Sequence, residues 1–496
     1  MHFLGKGLGS KISTGVAIAL WGISMFFVYK KNYATARSSD LSEAHSFKSI
    51  NDDLQNWMNV TLNGNKIGYS MQSFGNTPLG YLLKDYSLIR MPLGGTIKEI
   101  YIDSYSVLNR DFSLKTFTFG LVSGDYTTDI YGEIAGDKLN IKIKTQQSES
   151  AVSFPAGKGI YIPGAIPMLV SAQDFPIGVF SLQTFDPLSL ALNDMQITVG
   201  PDEAIMTDLG KLSGHQLALT LSGMTTHMWV DKKGHVLKEE ETGGMMMLAA
   251  DKENALNLPV NPANDKDLLS ELAVHCSGII KDPRNSHLLR VRIDGLDPDV
   301  FDLNDDFQTV ISKNPLILEI HPDNIDSSKL TDSEKYLRAE PLLQTTDPEI
   351  ISATKNICGN ETSEGIVASK IEEWVFKNVH KDYTVSLPSA LDVLKVKKGD
   401  CNEHTALFTA LARASGLPTK MCIGIVYKDG LFYYHAWPAV YLNGWRPMDP
   451  TFGQEVADAT HIKLLEGGIE RQTDLMRVVG KISITVLEDS SGKSLL

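Results

Sequence analysis

The C-terminal third of the chain contains the most informative segment, Gly399-Asp-Cys-Asn-Glu-His-Thr-Ala-Leu-Phe-Thr-Ala-Leu-Ala-Arg-Ala-Ser-Gly416. Apolar residues recur along it at helical spacing, and the closing glycine with a proline two residues later is a strong stop signal. Asp400 can cap the first turn while Glu403 reaches back, which is the capping-box pattern. The sequence therefore predicts a helix that begins at Cys401 and buries one face.

Cys401 is the candidate nucleophile because of this position at the helix start. A helix N-terminus carries partial positive charge and unpaired N–H groups, which stabilise a thiolate. Such positions lower a cysteine pKa from about 8.5 into the range of roughly 3.5–7.5, and the same N–H groups can provide half of an oxyanion hole. Asp400 and Glu403 oppose this effect, so the expected thiolate needs a cationic partner. Cys422, in a hydrophobic strand, is predicted to be a core thiol.

A histidine and an aspartate follow in the same compact segment. Two strands joined by a tight turn are predicted around Asp429-Gly430, and the returning strand carries His435. A second turn at Asn443-Gly444 leads to Asp449. A thiol, an imidazole and a carboxylate in one segment fit acyl-transfer chemistry, in which the base takes the thiol proton and the acid orients the base.

The turn at Asn443-Gly444 also decides whether His435 and Asp449 share one face of the sheet. A two-residue turn would put the two side chains on opposite faces. A three-residue turn with a left-handed Gly444 places Asp449 diagonally across from His435, within side-chain reach. We predict this three-residue turn, or an equivalent bulge near Pro438.

A family resemblance is carried by three blocks, Gly-Asp-Cys401-Asn-Glu-His, Tyr-His435-Ala-Trp-Pro and Trp-Arg-Pro-Met-Asp449-Pro-Thr-Phe-Gly. This pattern resembles the transglutaminase-like superfamily, and most of all its bacterial membrane-associated members. The resemblance implies an α+β papain/transglutaminase-like domain in which Cys401 attacks a carboxamide or peptide carbonyl, with His435 as base and Asp449 as orienting acid. A thioester would form and be resolved by water or an amine, and no cofactor is implied.

The resemblance also suggests supporting residues. Relatives of this kind complete the oxyanion hole with an indole or amide side chain, and Trp374 and Tyr383 are the candidates here. His404 lies three residues after Cys401 and could approach the thiol, although a structural or supporting role is favoured.

The N-terminal segment is predicted to be a membrane anchor. Residues 12–29 form an uncharged, apolar run of about 18 residues, with lysines on both sides. A cleaved signal peptide is the alternative, since Ala34-Thr35-Ala36 resembles a cleavage site. We assign residues 1–31 to a cytoplasmic tip and transmembrane helix, and residues 32–53 to a polar tether.

The remaining chain is predicted to be multidomain, with antiparallel β-rich structure before the α+β domain. Short alternating strands separated by turns such as Asn63-Gly64 predict an antiparallel half-barrel or sandwich at residues 54–260. We assign residues 261–328 to a small β extension or linker domain. The transglutaminase-like catalytic domain is assigned to residues 329–477, and residues 478–496 to a C-terminal strand and tail.

Composition limits the partners and cofactors. The 496 residues carry a net charge of −14, which argues against a nucleic-acid partner. The four cysteines are too few and too scattered for a disulfide framework and lack the spacing of a zinc site. An oxidising compartment would nevertheless permit Cys276 to pair with Cys358. We predict no metal and no cofactor.

Two functions compete on this sequence. The first is a membrane-anchored cysteine hydrolase or transamidase that acts on a protein or peptide, with residues 12–29 in the bilayer and the body in the periplasm. The second is a catalytically inactive binding module for a peptide or an envelope polymer. The intact cysteine, histidine and aspartate favour the first. A third, weaker alternative is an assembly factor in which the β-rich region has the main role.

Overall fold

The computed structural model describes residues 39–41, 54–157, 159–221, 223–241, 244–259, 268–323, 329–475 and 477–489. The predicted anchor at residues 12–29 lies outside these ranges, as does most of the predicted tether. Within the described ranges, no helix is long and apolar enough to cross a membrane.

Fifteen strands in the first half of the described chain form one continuous sheet. They are β1 (Ser39–Asp40), β2 (Leu54–Leu62), β3 (Asn65–Thr77), β4 (Gly80–Leu93), β5 (Thr96–Leu108), β6 (Leu114–Ser123), β7 (Tyr126–Ala135), β8 (Lys138–Thr145), β9 (Glu149–Pro155), β10 (Gly178–Asp186), β11 (Ala191–Thr207), β12 (Gly210–Leu221), β13 (Met224–Val230), β14 (Val236–Glu240) and β15 (Met245–Ala250). The order across the sheet is β1-β10-β11-β12-β13-β14-β15-β2-β3-β4-β5-β6-β7-β8-β9. Every neighbouring pair is antiparallel except β1 with β10. The predicted antiparallel β-rich structure is confirmed, and we call these fifteen strands the β region.

Local sequence explains these strands. In β8, Leu139, Ile141 and Ile143 are buried while the residues between them are exposed, which is the period-two pattern of a strand with one covered face. The β2–β3 hairpin closes through Asn63 and Gly64, whose φ angles of 49° and 80° suit the tight turn predicted from this dipeptide.

The sheet is folded around a buried helix. Helix α1 (Ile166–Ala172) has all seven residues buried and shares one apolar core with side chains from most of the fifteen strands. The segment before it links the two halves of the sheet. Leu114 of β6 donates its N–H to Ile160 (2.7 Å), and Tyr161 donates to Gln183 of β10 (2.9 Å).

Part of the predicted tether belongs to this sheet. Ser39 and Asp40 pair with Phe180 and Ser181 of β10, and Leu41 is buried in the core. The assignment of a free tether is therefore wrong for these three residues. Their short polar sequence gives no sign of a pairing with strand residues about 140 positions away.

A second sheet contains most of the remaining strands. The later strands are β16 (Val274–Ser277), β17 (Leu289–Asp294), β18 (Gln308–Lys313), β19 (Leu316–Ile320), β20 (His380–Lys381), β21 (Lys398–Gly399), β22 (Thr419–Lys428), β23 (Leu431–Tyr441), β24 (Trp445–Pro447), β25 (Ile462–Glu466) and β26 (Ser483–Glu488). The order is β18-β19-β17-β26-β16-β23-β22-β25, with β24 also paired to β23, while β20 and β21 pair with each other.

This sheet contradicts the predicted boundaries at residues 261–328 and 478–496. Strand β16, from the predicted linker domain, pairs with β23 through Val274 and Phe432. The same strand pairs in parallel with β26, from the predicted tail, through Cys276 and Ile484. Both segments are integral to the sheet that carries the site. The pairings are invisible in the sequence because they join strands that lie far apart in the chain.

Helices Cys401–Ala414 and Ile469–Leu475 pack against strands of the second sheet. The helices after α1 are α2 (Lys252–Leu256), α3 (Leu268–Glu271), α4 (Pro348–Cys358), α5 (Glu364–Asn378), α6 (Ala390–Val396), α7 (Cys401–Ala414) and α8 (Ile469–Leu475). We call β16–β26 with α4–α8 the C-terminal unit. Helix α7 is buried from Glu403 to Arg413, on every face rather than on the one predicted, because α4, α5 and α6 enclose the sides that do not meet β22 and β23.

The β region is attached to the C-terminal unit beside the start of α7. Asp392 of α6 is buried and accepts hydrogen bonds from the Thr145 hydroxyl and from the N–H of Gln147 (3.0 Å). The Tyr126 hydroxyl donates to the carbonyl of Lys398 (2.5 Å). The β region therefore contacts the segment that leads directly into the helix start.

Candidate active site

Helix α7 begins at Cys401, as the sequence predicts. The Asp400 carboxylate accepts the N–H of Asn402 (2.9 Å), and the Glu403 carboxylate accepts the N–H of Asp400 (2.8 Å). The predicted capping box is thus present. It fixes the backbone on both sides of the thiol.

The electrostatic environment of Cys401 differs from the expectation. Burial raises the pKa of its thiol well above the ordinary value, and the nearby Asp400 and Glu403 carboxylates raise it further. The N–H of Ala436 donates to the sulfur and acts in the opposite direction, without offsetting the rise. The shift is opposite to the lowering expected from the helix N-terminus, because burial and then the capping carboxylates raise the pKa of the Cys401 thiol.

The imidazole of His435 and the carboxylate of Asp449 are hydrogen-bonded. His435 Nε2 lies 2.9 Å from Asp449 Oδ2, and both side chains are buried. The bond uses Nε2, so Nδ1 is the ring nitrogen left to act on a thiol. Ala436, whose N–H contacts the Cys401 sulfur, is the next residue after His435. The three predicted site residues therefore meet at one place.

The turn before Asp449 has the predicted register. Tyr441 pairs with Trp445, which leaves a three-residue turn and keeps the aspartate on the histidine's side of the sheet. The left-handed residue is Asn443, with φ of 60°, while Gly444 has φ of 149°. The prediction of the turn length is confirmed, and its assignment of the left-handed residue is wrong by one position. Asparagine tolerates this conformation better than most residues.

Asp449 is held ionised by several donors. Its Oδ1 accepts the N–H groups of Thr451 (2.7 Å) and Phe452 (3.1 Å). Burial alone would raise the pKa of Asp449, but His435 and His461 outweigh it and hold this pKa well below the usual range. The carboxylate can therefore orient His435 in the tautomer that carries its proton on Nε2.

His461 completes the arrangement and was missed in the sequence. Its Nε2 lies 2.9 Å from Asp449 Oδ2, the oxygen that also contacts His435, and its Nδ1 lies 3.0 Å from the carbonyl of Asp458. Burial opposes protonation, but Asp458 and Asp449 raise the pKa of His461 to about 9. The available sequence signal was a histidine three residues after an aspartate, which by itself is weak.

A close backbone contact brings His461 to this place. Gly424 of β22 lies opposite His435, and a Cβ added there would lie 2.0 Å from the carbonyl of Ile462. Glycine allows β25 to approach β22 here, so the residue before Ile462 reaches Asp449. Asp458, which anchors the other side of His461, forms an ion pair with Arg284 (2.8 Å).

Two aromatic rings hold the His435 imidazole. Phe452 and Trp437 stack nearly parallel to it, with centroids 5.1 and 5.9 Å away. Arg284 lies 4.6 Å above the Phe452 ring. These contacts limit rotation of the imidazole, so that Nε2 stays on Asp449 and Nδ1 stays on the opposite edge of the ring.

One nitrogen each of His435 and His461 and a carboxylate oxygen of Asp449 lie within 4.8 Å of one another, as metal ligands can. Hydrogen bonds account for this geometry. A cation here would have to displace the Nε2 proton of His461, and a pKa near 9 favours retention of that proton at neutral pH.

The other predicted residues lie in different surroundings. His404 is buried. Its Nδ1 lies 2.7 Å from the carbonyl oxygen of Asp400, and its Nε2 lies 3.1 Å from that of Val379. Both ring nitrogens therefore contact the backbone near the start of α7 and not the thiol. The Trp374 ring lies 5.9 Å from the Lys397 amine. The Tyr383 ring packs on Gly94 of the β region, where an added Cβ would lie 2.1 Å from it. An oxyanion role for Trp374 or Tyr383 stays a prediction.

The remaining cysteines have no catalytic environment. Cys422 is fully buried, and burial raises its pKa to about 12. Cys276 and Cys358 are free thiols in separate apolar clusters.

The chain is similar in part to several known proteins. An uncharacterized protein of Haemophilus influenzae is 35% identical over 99 residues, which are 19% of this chain and 27% of that protein, so the chain spans about a quarter of its relative. A candidate cysteine protease from Cytophaga hutchinsonii is 16% identical over 40% of this chain and 83% of its own, with a TM-score of 0.28. A β-barrel-like protein from Brucella abortus is 12% identical over 40% of this chain and 95% of its own, with a TM-score of 0.33. Residues 351–450 match the transglutaminase-like superfamily, and this part of the chain is a transglutaminase-like core domain.

Proposed function

We propose that the C-terminal unit is a cysteine acyltransferase or hydrolase that attacks a carboxamide or peptide carbonyl. The observation that carries the proposal is the hydrogen bond between His435 Nε2 and Asp449, which leaves Nδ1 available as a base. The next residue, Ala436, donates its N–H to the Cys401 sulfur, so the histidine and the thiol belong to one site. The match of residues 351–450 to the transglutaminase-like superfamily supports the same chemistry.

The raised pKa of Cys401 determines how the first step proceeds. Because burial favours the protonated thiol, we propose that His435 Nδ1 takes its proton as the sulfur–carbon bond forms and the carbonyl electrons move to oxygen. The tetrahedral intermediate then collapses, the carbon–nitrogen bond breaks, and His435 returns the proton to the leaving amine. The product is a thioester on Cys401.

The second step releases the acyl group. Water or an amine attacks the thioester carbon while His435 removes the proton from the attacking group, and the sulfur leaves and is reprotonated. Asp449 fixes the histidine tautomer throughout and stabilises the imidazolium that forms. Trp374 and Tyr383 are the proposed side-chain donors to the oxyanion, together with the backbone N–H of Cys401, since Asp400 accepts the N–H groups of Asn402 and Glu403.

Hydroxylamine tests this proposal because it intercepts thioesters. The protein, incubated with a mixed peptide library and hydroxylamine, should form peptide hydroxamates that mass spectrometry detects. Cys401→Ala should form none and should keep the wild-type circular dichroism spectrum. Equal hydroxamate from both proteins would remove Cys401 from the chemistry. If neither protein forms any and Cys401 is unreactive towards alkylating agents, the binding-module alternative is favoured.

The location of the protein is part of the same proposal. An anchor at residues 12–29 would place the lipid bilayer next to the β region and the body in the periplasm, where envelope proteins or peptides are substrates. Protease added to intact spheroplasts should then digest the body. Digestion only after lysis would place the body in the cytoplasm.

A further inference from the structure

Arg284 lies outside the matched core domain, yet it reaches the candidate site. It belongs to the segment between β16 and β17, whereas the family match covers residues 351–450. Its guanidinium forms an ion pair with Asp458 (2.8 Å) and lies 4.6 Å from the centre of the Phe452 ring. Each of these two contacts leads to the imidazole of His435 by a separate route.

The first route leads to the edge of the imidazole. Asp458 contacts His461, whose Nδ1 lies 3.0 Å from its carbonyl oxygen and 3.4 Å from its carboxylate. His461 Nε2 lies 2.9 Å from Asp449 Oδ2, and the same oxygen lies 2.9 Å from Nε2 of His435. Because the pKa of His461 is raised to about 9, cationic and anionic groups alternate from Arg284 to Asp449.

The second route leads to the face of the imidazole. The Phe452 ring stacks nearly parallel to His435, with the ring centres 5.1 Å apart. A guanidinium over an aromatic face is attracted by the electron density of the ring, so Arg284 restrains Phe452. The N–H of Phe452 also donates to Asp449 Oδ1 (3.1 Å), which joins this route to the first. A displacement of Arg284 would therefore affect both the edge and the face of the base.

Several backbone contacts fix Arg284 in this position. Its guanidinium donates to the carbonyl of Tyr427 in β22, and its own carbonyl accepts the side-chain amide of Gln454 (3.4 Å). Two residues further on, the carbonyl of Ser286 accepts the N–H of Ala459 (2.8 Å). The segment around Arg284 is thus bound to β22 and to the loop that follows the matched core domain.

A purely structural role is the alternative for Arg284. The side chain of Asp458 is 2% exposed, and a buried carboxylate needs a cationic partner. In this role the arginine would stabilise the fold and leave the position of His435 unchanged. The two roles predict different reactivity at Cys401, because only a misplaced base slows the transfer of the thiol proton.

We propose that Arg284 is a positioning residue for the His435 base, an inference that rests on the proposed function. Arg284 acts on the edge of the imidazole through Asp458 and His461, and on its face through Phe452. The part of the chain that places the base then extends beyond the matched core domain, into a segment that precedes it in the sequence.

Alkylation of Cys401 by iodoacetamide tests this inference without a known substrate. At neutral pH the reaction needs His435 to accept the thiol proton, whereas at high pH the thiol ionises without a base. The ratio of the neutral-pH rate to the high-pH rate therefore reports the placement of the base and cancels changes in access to the thiol. Arg284→Gln should lower this ratio about tenfold, since small displacements of a catalytic group cost up to about 100-fold. Arg284→Lys keeps a charge beside Asp458 and should lower it less.

Two controls accompany the measurement. Arg292→Gln removes an arginine that is also paired with a carboxylate, that of Asp294 (3.0 Å), and should leave the ratio unchanged. Arg292 lies on β17, which two strands separate from β23 and its His435. Cys422 is fully buried, so slow labelling of Cys422 shows that each variant is folded. If Arg284→Gln does not fold, Arg284→Lys decides the question, and a wild-type ratio in that variant refutes the inference.

The outcomes separate this inference from the function on which it rests. If Cys401 reacts faster than Cys422 and the Arg284 variants keep the wild-type ratio, the inference is refuted while the proposed function stands. An equal fall of both rates, or a fall of the ratio in Arg292→Gln as well, would also refute it, because the effect would then be structural or general. If Cys401 of the wild type reacts no faster than Cys422, the proposed function fails and the inference fails with it.

Discussion

Two carboxyl groups in the β region differ from two in the C-terminal unit in the direction of their pKa shifts. Burial raises the pKa of Asp85 and raises that of Glu239 to about 8. At Asp458 and Glu466 of the C-terminal unit, cationic partners outweigh burial, so that both pKa values fall to about 2.

The difference lies in the hydrogen-bond donors. Asp85 accepts from Gln72 (2.7 Å) and Ser104 (3.1 Å), both neutral. Asp458 accepts from Arg284 and contacts the protonated His461. Charged donors form stronger hydrogen bonds and offset the loss of hydration that neutral donors leave. Histidine and arginine partners therefore keep Asp449 and Asp458 ionised, whereas burial raises the pKa of Glu372 and Glu403 in the same unit.

Among the variants considered, Asp449→Asn should cause the largest loss of acyl-transfer activity. Asparagine preserves the shape and removes the charge that fixes the tautomer of His435, so we expect the acyl-transfer rate to fall about 10³–10⁴-fold. Hydroxamate formation measures the rate. Asp294→Asn, which removes an exposed carboxylate paired with Arg292 (3.0 Å), is the control and should have no effect. If the Asp449→Asn protein kept wild-type activity, the charge of Asp449 would have no role in catalysis and would serve only to stabilise the fold.

His461 should have the next largest effect. His461→Gln keeps an N–H donor towards Asp449, while His461→Phe keeps only the ring. Since small displacements of a catalytic group cost up to about 100-fold, we expect about a tenfold loss of rate for glutamine and about a hundredfold loss for phenylalanine. The ratio of the two rates is the decisive measurement. A purely packing role predicts the reverse order, because phenylalanine fills the site better.

The contact between the two regions is tested at Asp392. Asp392→Ala leaves the Thr145 hydroxyl and the N–H of Gln147 without their acceptor, so we expect a loss of about 1–3 kcal/mol in unfolding free energy. Because these bonds join the regions, thermal unfolding should separate into two transitions. A single transition at the wild-type temperature would mean that the contact contributes nothing.

Glu239→Gln should have the smallest effect, and its sign depends on pH. The raised pKa of Glu239 means that the folded state binds its proton more tightly, so stability is full below about pH 4.5 and falls as pH rises through 8. Glutamine removes this loss and should stabilise the β region by about 1–2 kcal/mol at pH 8 and by nothing at pH 4.5. Denaturant unfolding at the two pH values measures the difference.

Glu466→Gln provides the opposite control. Its pKa is lowered to about 2, so its contribution to stability is present above about pH 4.5 and is lost as pH falls through 2. Glutamine should destabilise the C-terminal unit at pH 8. If both variants responded to pH in the same direction, the contrast between Glu239 and Glu466 would be refuted.

Local sequence patterns predicted the elements that local forces determine. The capping residues of α7 and the hairpin at Asn63-Gly64 depend on neighbours in the chain and were predictable. The three-residue turn before Asp449 was predicted only from the requirement that Asp449 face His435, because Asn443-Gly444 alone favours a two-residue turn. The place of β16 and β26 in the catalytic sheet depends on pairings across about 160 to 210 residues, which no local pattern reveals. The pKa of Cys401 and the role of His461 also depend on the groups buried beside them. The sequence therefore predicted the wrong direction for the pKa shift of Cys401 and gave no indication that His461 contacts Asp449.

Site-resolved iodoacetamide labelling over a range of pH tests most directly whether Cys401 and His435 act together. In the wild type, Cys401 should react much faster than Cys422 near neutral pH, because His435 accepts the thiol proton as the sulfur attacks. In His435→Ala, the neutral-pH rate should disappear and labelling should return only at high pH, where a thiol with a raised pKa ionises. If Cys401 labels no faster than Cys422 in the wild type, or if His435→Ala leaves the profile unchanged, the proposed catalytic pair does not exist.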